Sequence, residues 1–324
     1  MNDKVTNKRP LVTFVIFAYN QEHYIREAVE GAFAQTYEPL EIILSDDCST
    51  DLTFRVMAEM TAAYKGPHEV RVRQNEVNLG LACHINSFLV EAKGEFVCWA
   101  AGDDISMPER TSILILPMLK NPHVIGTHST VQEIDISGNL GKIRQHSKNV
   151  VNLSAESIVS TGLGVVSQAH AFRMKVFDTF GPLHRSLTNE GPAMAFRECL
   201  LGKVAYITEP TVYYRIGSGV STYQGGNVIK TKTYEPIKVC NWRLSSFEQM
   251  LDDCKKAPYL VDEIKVARLE NKVLFYKNLL DINNKKRVFR SLFKNFILSP
   301  SDTRSLRAMV RVFFPISIYK RIKS

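Results

Sequence analysis

Short apolar runs alternate with stretches whose apolar residues recur every three or four positions, and this alternation governs the first third of the chain. Leu11–Ala18, Glu41–Ser45 and Phe96–Ala101 are brief and rich in β-branched or aromatic residues, as strands buried on both faces are. Val70 and Val72 alternate with Arg71 and Arg73, the pattern of a half-exposed strand. Between these runs, Ile25, Ala28, Val29, Ala32 and Phe33 share one helical side. Phe54, Met57, Met60, Thr61 and Tyr64 share a second, and Leu81, Ile85, Phe88, Leu89 and Ala92 a third. Strands alternating with helices of this length predict βαβ units and a mainly parallel sheet. Such a sheet gathers the carboxyl ends of its strands at one edge, where ligands bind.

The residues at those ends are polar or acidic: Tyr19-Asn20, Asp46-Asp47 and Asp103-Asp104. Two adjacent carboxylates repel unless a cation sits beside them. A divalent ion such as Mg²⁺ or Mn²⁺, carrying a diphosphate, fits that need, since Mg²⁺ takes one or two carboxylates and completes its shell with phosphate oxygens. An acidic turn capping the following helix reads the same pair without a ligand. An aromatic ring and acids at one edge also suit a base and a ribose. No Gly-x-x-x-x-Gly-Lys-Ser/Thr loop and no Gly-x-Gly-x-x-Gly after the first strand is present. A diphosphate would therefore be held by metal and side chains.

Composition narrows the class. The 324 residues are 45% hydrophobic and 23% charged, as in a globular protein. The six cysteines are scattered without a Cys-x-x-Cys pair, which favours a reducing compartment over a zinc site or disulfide framework. The net charge of +8 lies in the tail, where residues 285–324 hold five Lys and six Arg against Asp302. The tail interleaves these charges with Leu292, Phe293, Phe296 and Ile297, as a helix in an anionic membrane interface does. A helical cap on the core reads it equally well. Nucleic-acid binding is not expected, because the aromatics fall on apolar faces rather than in stacking positions. Lys4, Lys8 and Arg9 precede the apolar Leu11–Tyr19, yet Asn20-Gln21-Glu22 follow without a cleavage site. The segment reads as a first strand and the chain as cytoplasmic, peripheral at the membrane through its tail.

Further along, Asn20 is expected to cap the first helix, Pro108 to open a helix and Ser154 to cap a short one. Val131–Ile136 with Ser137-Gly138-Asn139 predicts a hairpin. His170–Phe172 and Tyr206–Arg215 read as strands, Glu190–Leu201 as a helix closed by Gly202, and the chain from about Thr233 as helical.

The chain resembles glycosyltransferase family 2, nucleotide-diphospho-sugar transferases of the GT-A fold. The likeness rests on Val15–Asn20, Ser45–Asp51, Asn78-Leu79-Gly80, Ala101–Asp104, Gly202-Lys203, Tyr206–Pro210 and Tyr213–Arg215, in this order. It implies a three-layer α/β/α fold followed by a helical region. The expected division is a catalytic domain over 1–232, with a donor half at 10–122 and an acceptor half at 123–232, then helices over 233–324. The resemblance further implies that Phe17, Tyr19, Asp46, Asp47, Gly80 and Asp103 meet the nucleotide and that Asp104 and Asp103 hold the metal. A catalytic base is implied at Glu190, although Gly191 stands where the family places an Asp. Arg215, Gly217, Ser218 and Gly219 are expected to form a lid over the diphosphate, and an ordinary flexible loop reads the same Gly/Ser-rich segment equally well. The implied reaction is inverting transfer, from a UDP-sugar first among donors, to a saccharide or lipid-linked acceptor in capsule or O-antigen assembly. A non-catalytic binding subunit is the alternative.

Overall fold

The computed structural model describes residues 9–218 and 236–280. The first half alternates β1 (Val12–Ala18), α1 (Ile25–Phe33), β2 (Leu40–Asp46), α2 (Thr53–Ala63), β3 (Glu69–Gln74), α3 (Leu81–Leu89) and β4 (Phe96–Ala101). Then come β5 (Ile105–Ser106), α4 (Arg110–Lys120), β6 (Val124–Ser129), β7 (Gln132–Ile134), β8 (Leu140–Ile143), α5 (Lys148–Val151) and α6 (Ala155–Thr161). The chain continues with β9 (His170–Arg173), α7 (Lys175–Phe180), α8 (Glu190–Leu201), β10 (Lys203–Ile207), β11 (Val212–Arg215), α9 (Pro236–Lys256) and α10 (Glu263–Leu280).

Seven strands form the main sheet in the order β10-β6-β9-β4-β1-β2-β3, and all neighbours are parallel except those of β9. The alternation of β1 divides two cores. Val12, Phe14, Ile16 and Ala18 meet α1, α2 and α4 on one face. Val15 and Phe17 meet α3, α7 and α8 on the other. This is the mainly parallel α/β/α arrangement that the runs of buried residues require. A smaller sheet, β5-β11-β7-β8, stands at the carboxyl edge. The helical region follows, and Phe247 and Met250 of α9 and Leu269 of α10 share a third core with α6 and α8.

Several local expectations are corrected. Asn20 does not cap α1; its backbone is left-handed (φ 53°) and its Oδ1 accepts the Thr50 amide hydrogen at 2.9 Å, so the helix starts only at Ile25. Pro108 precedes α4 instead of opening it, and its carbonyl accepts from the Thr36 amide at 3.0 Å. Tyr206–Arg215 is not one strand. β10 and β11 belong to different sheets, because Pro210 between them cannot donate to a ladder. Ser154 caps α6 as expected, through a reciprocal capping box with Ser157. The tail 285–324 lies outside the described residues.

Candidate functional site

The strands β2, β1 and β4 lie side by side, so their carboxyl ends bring Asp46-Asp47, Tyr19 and Asp103-Asp104 to one edge. The backbone there is held in uncommon geometry: besides Asn20, Cys48 has φ 61°, a left-handed conformation that non-glycine residues rarely adopt.

The acid pair is braced by a strand far along the chain. β11 runs antiparallel to β5, with Tyr213 opposite Ile105, which brings Arg215 against the turn after β4. The Arg215 amide donates to Asp104 Oδ1 at 2.9 Å and its Nε to the Asp103 carbonyl at 3.1 Å. Its Nη1 donates to the Asp135 carbonyl at 3.2 Å and its Nη2 to Glu27 Oε2 at 2.5 Å. The guanidinium also lies 4.7 Å from the Tyr24 ring centroid. Behind the turn, buried Arg110 donates to the Trp99 carbonyl at 2.5 Å and to Ser106 Oγ at 2.9 Å.

Asp103 and Asp104 are both buried, at 6% and 1% exposure. Asp103 Oδ2 accepts from the Ser218 hydroxyl at 2.8 Å, whereas Asp104 Oδ2 is buried without a partner. Burial raises both carboxyl pKa values, and for Asp104 the charge of Asp103 adds to a large upward push. Adjacent acids in this condition are stabilised as anions by a cation. Oxygen-only donors, one orphaned and one met by a rotatable hydroxyl, fit a hard divalent ion that draws further ligands from phosphate and water. Among the described residues, no cluster of three or more His, Cys, Asp or Glu is placed to hold a metal alone.

The acids of β2 are engaged inside the fold. Asp46 Oδ1 accepts from Ser49 Oγ at 2.5 Å, and its Oδ2 from the Ser49 amide at 2.8 Å and Gln74 Nε2 at 2.9 Å. Asp47 Oδ1 accepts from Asn75 Nδ2 at 2.7 Å and the Leu79 amide at 2.9 Å, and its Oδ2 from the Gly80 amide at 2.9 Å. Asp47 therefore ties the loop that enters α3. Gly80 has φ 75° with open space where a side chain would project, so its left-handed backbone explains the glycine. Phe17 is half-buried and stacks on Phe88 at 5.8 Å, while Tyr19 is 42% exposed at the mouth.

Glu190 is the first residue of α8 and is 7% exposed. A Cβ at Gly191 would lie 2.7 Å from Ser167 Oγ and 3.1 Å from the Val165 carbonyl. A Cβ at Gly164 would in turn meet the Gly191 backbone at 2.3 Å. Two chain segments thus touch backbone to backbone beside Glu190, and a side chain at 191 would require Ser167 and the Val165 carbonyl to give way. His170 is fully buried, 2.7 Å from Glu198 Oε1, and belongs to the interior.

Arg215 ends β11 at 2% exposure and anchors the segment that leaves it. Gly217 follows with φ 96°, and Ser218 touches Asp103; Gly219 lies outside the described residues. Sequence reasoning missed Tyr24, Glu27, Asn75 and Arg110. Only Arg110 left a signal, a cation two residues after Pro108 at the head of a helix whose next stretch, Ile113–Ile115, is apolar.

The glycosyl transferase family 2 model matches residues 13–179. A putative glycosyltransferase of Bacillus subtilis, EpsE, is 34% identical over 37% of this chain and 44% of its own. The hyaluronan synthase of Pasteurella multocida is 28% identical over 54% of this chain and 17% of its own. The chain thus spans less than half the length of either relative. Among solved structures, residues 1–349 of S. aureus TarS in complex with UDP-GlcNAc superpose with a TM-score of 0.58 at 16% identity, over 92% of this chain and 83% of that one. The Pyrobaculum calidifontis mannosyltransferase PcManGT in complex with GDP-Man and Mn²⁺ gives 0.53 at 16% identity, over 98% and 79%. The sheet and the edge acids lie largely within the matched 13–179, more than half of the chain, and this chain belongs to glycosyl transferase family 2.

Proposed function

We propose that the protein is a metal-dependent, inverting glycosyltransferase. It takes a sugar from a nucleotide-diphosphate donor, UDP-linked first among them, to a saccharide or lipid-linked acceptor in surface-polysaccharide assembly. The reading is carried by the buried Asp103–Asp104 pair at the sheet edge, with its unpartnered oxygen. It is supported by the ligands named for the fold's neighbours, UDP-GlcNAc in one and GDP-Man with Mn²⁺ in the other.

In this reading residues 10–122 bind donor, residues 123–232 bind acceptor, and a C-terminal helical region follows over 233–324, of which 236–280 are described. Tyr19 and Phe17 flank the base or ribose, Asp47 accepts from the base, and Asp46 and Gly80 complete that wall. Asp103 and Asp104 hold Mg²⁺ or Mn²⁺, which when bound offsets charge on the departing diphosphate. Glu190 takes the proton of the acceptor hydroxyl as its oxygen bonds to the anomeric carbon. The bond from that carbon to the diphosphate oxygen breaks on the opposite face, and the proton passes from Glu190 to solvent. The segment 215–219 closes over the diphosphate, anchored at Arg215.

Glu190→Gln is expected to lower transfer by roughly 10²–10⁴-fold, the range for loss of a general base. Its affinity for donor plus metal should match wild type, as measured by calorimetry. Undiminished transfer would refute the assignment. The glycine at 191 supports a second reading, a binding subunit that holds donor without turnover. Wild-type protein that binds UDP-sugar yet neither hydrolyses nor transfers it would establish that reading instead.

A further inference from the structure

The connector from Gly181 to Asn189 delivers the chain into α8 at Glu190, and it is gripped from both sides. On the donor side, Asn86 of α3 makes a reciprocal pair with Leu183: Nδ2 donates to the Leu183 carbonyl and Oδ1 accepts from its amide, each at 2.8 Å. On the other side stands α9, beyond the residues that the family model matches. Gln249 Oε1 accepts from the His184 amide at 2.6 Å, and its Nε2 donates to Asp253 Oδ1 at 3.0 Å. Asp253 receives Arg197 in a fork, Nε to Oδ2 and Nη2 to Oδ1, both at 2.8 Å. Arg197 Nη1 then donates to the Gly181 carbonyl at 2.8 Å. The Ser246 hydroxyl of α9 lies 3.4 Å from the carbonyl of Asn189, the residue before Glu190.

Arg197, Gln249 and Asp253 are all fully buried. A buried ion pair adds little stability over apolar residues of the same shape, but a bidentate fork fixes direction in a way that apolar packing does not. Here the direction is spent on both ends of one connector: Gly181 at its start, and His184 and Asn189 toward Glu190.

We propose that Arg197, Gln249 and Asp253 are positioning residues that set where α8 begins and so place the Glu190 carboxylate at the acceptor hydroxyl. The α9 helix is then part of the acceptor site. This rests on Glu190 as the base.

The test uses the full chain with donor, metal and acceptor. Gln249→Met removes both of its bonds at similar volume. Arg197→Met/Asp253→Leu replaces the charges with apolar bulk, and serves if the first variant is poorly folded. Transfer kcat at saturating acceptor is expected to fall about tenfold or more, as for slight misplacement of a reacting group. The affinity for donor plus metal, which those residues do not touch, should stay unchanged. In a Glu190→Gln background, whose residual rate is followed with radiolabelled donor, the same changes should cost nothing further, because the group being positioned is gone. Equal losses in both backgrounds, or full kcat in both folded variants, would overturn the positioning role alone. Wild-type kcat in Glu190→Gln itself would overturn the base assignment, and the positioning role with it.

Discussion

Asp104→Asn isolates the charge of the acid pair from its shape. The amide keeps the oxygen that accepts from the Arg215 backbone at 2.9 Å, and replaces the unpartnered Oδ2 with a neutral NH₂. A buried group left unmet, acceptor or donor, costs about 1–3 kcal/mol and more when charged, so the loss of charge is what the substitution gains. Without divalent ions the variant is therefore expected to be more stable than wild type by about 1 kcal/mol or more, roughly 2–4 °C in Tm per kcal/mol for a domain of this size. The difference depends on pH. The folded pKa of Asp104 lies above the ordinary carboxyl value, so its contribution to stability is whole below that value and is lost as pH rises through the folded pKa. The gap between variant and wild type should thus open as pH rises. Ion binding reverses the order. At a hundred times its Kd, a divalent ion stabilises wild type by about 2.7 kcal/mol, roughly 5–10 °C by the same conversion, and the variant by nothing. Thermal melts in chelator and in MnCl₂ with UDP, from about pH 4 to about pH 8, read both arms. A variant that gains the same ion-induced shift, or is less stable than wild type in chelator at every pH, would refute the reasoning.

Other perturbations separate the braces of the site from its working groups. Arg215→Met strips donors from Asp103, Asp135 and Glu27 and should cost about 2–4 kcal/mol in urea unfolding. Glu27→Gln, at a side chain 48% exposed, should cost less than about 1 kcal/mol, and equal costs would refute the buried brace. Gly191→Ala should destabilise by about 1–3 kcal/mol through overpacking against Ser167 Oγ at 2.7 Å, and Ser167→Ala should relieve much of it. The same loss with and without Ser167 Oγ would sink the steric account of that glycine. Full-length protein should sediment with anionic liposomes more than a 1–284 truncation does, by about 1 kcal/mol for each tail Lys or Arg near the surface, and less so in high salt. Equal sedimentation would exclude the tail as an anchor.

The first half of the sheet was legible because its signals are local and periodic. Buried runs such as Val12–Ala18 and Phe96–Ala101 name both the strands and the edge where they stop. The braces were not legible, since they join residues with no common period. Arg215 reaches Glu27 across 188 positions, and the pairing of β11 with β5 depends on Tyr206–Arg215 splitting into two strands. Asp46 and Asp47 show the limit differently. Their place at the edge follows from β2, but six donor groups elsewhere or nearby decide how their carboxylate oxygens are occupied, among them those of Gln74, Asn75 and Gly80. A strand-end carboxylate whose lone pairs already take backbone amides can shape a loop and still accept one more hydrogen, because each oxygen has two lone pairs. Asp47 Oδ2 has the single partner Gly80, and Asp104 Oδ2 has none, so these are the oxygens at which a ligand donor or a cation costs no existing bond. Asp46 Oδ1 likewise has a single partner, but that partner and one of the two donors at Oδ2 both belong to Ser49, so Asp46 acts first on its own turn.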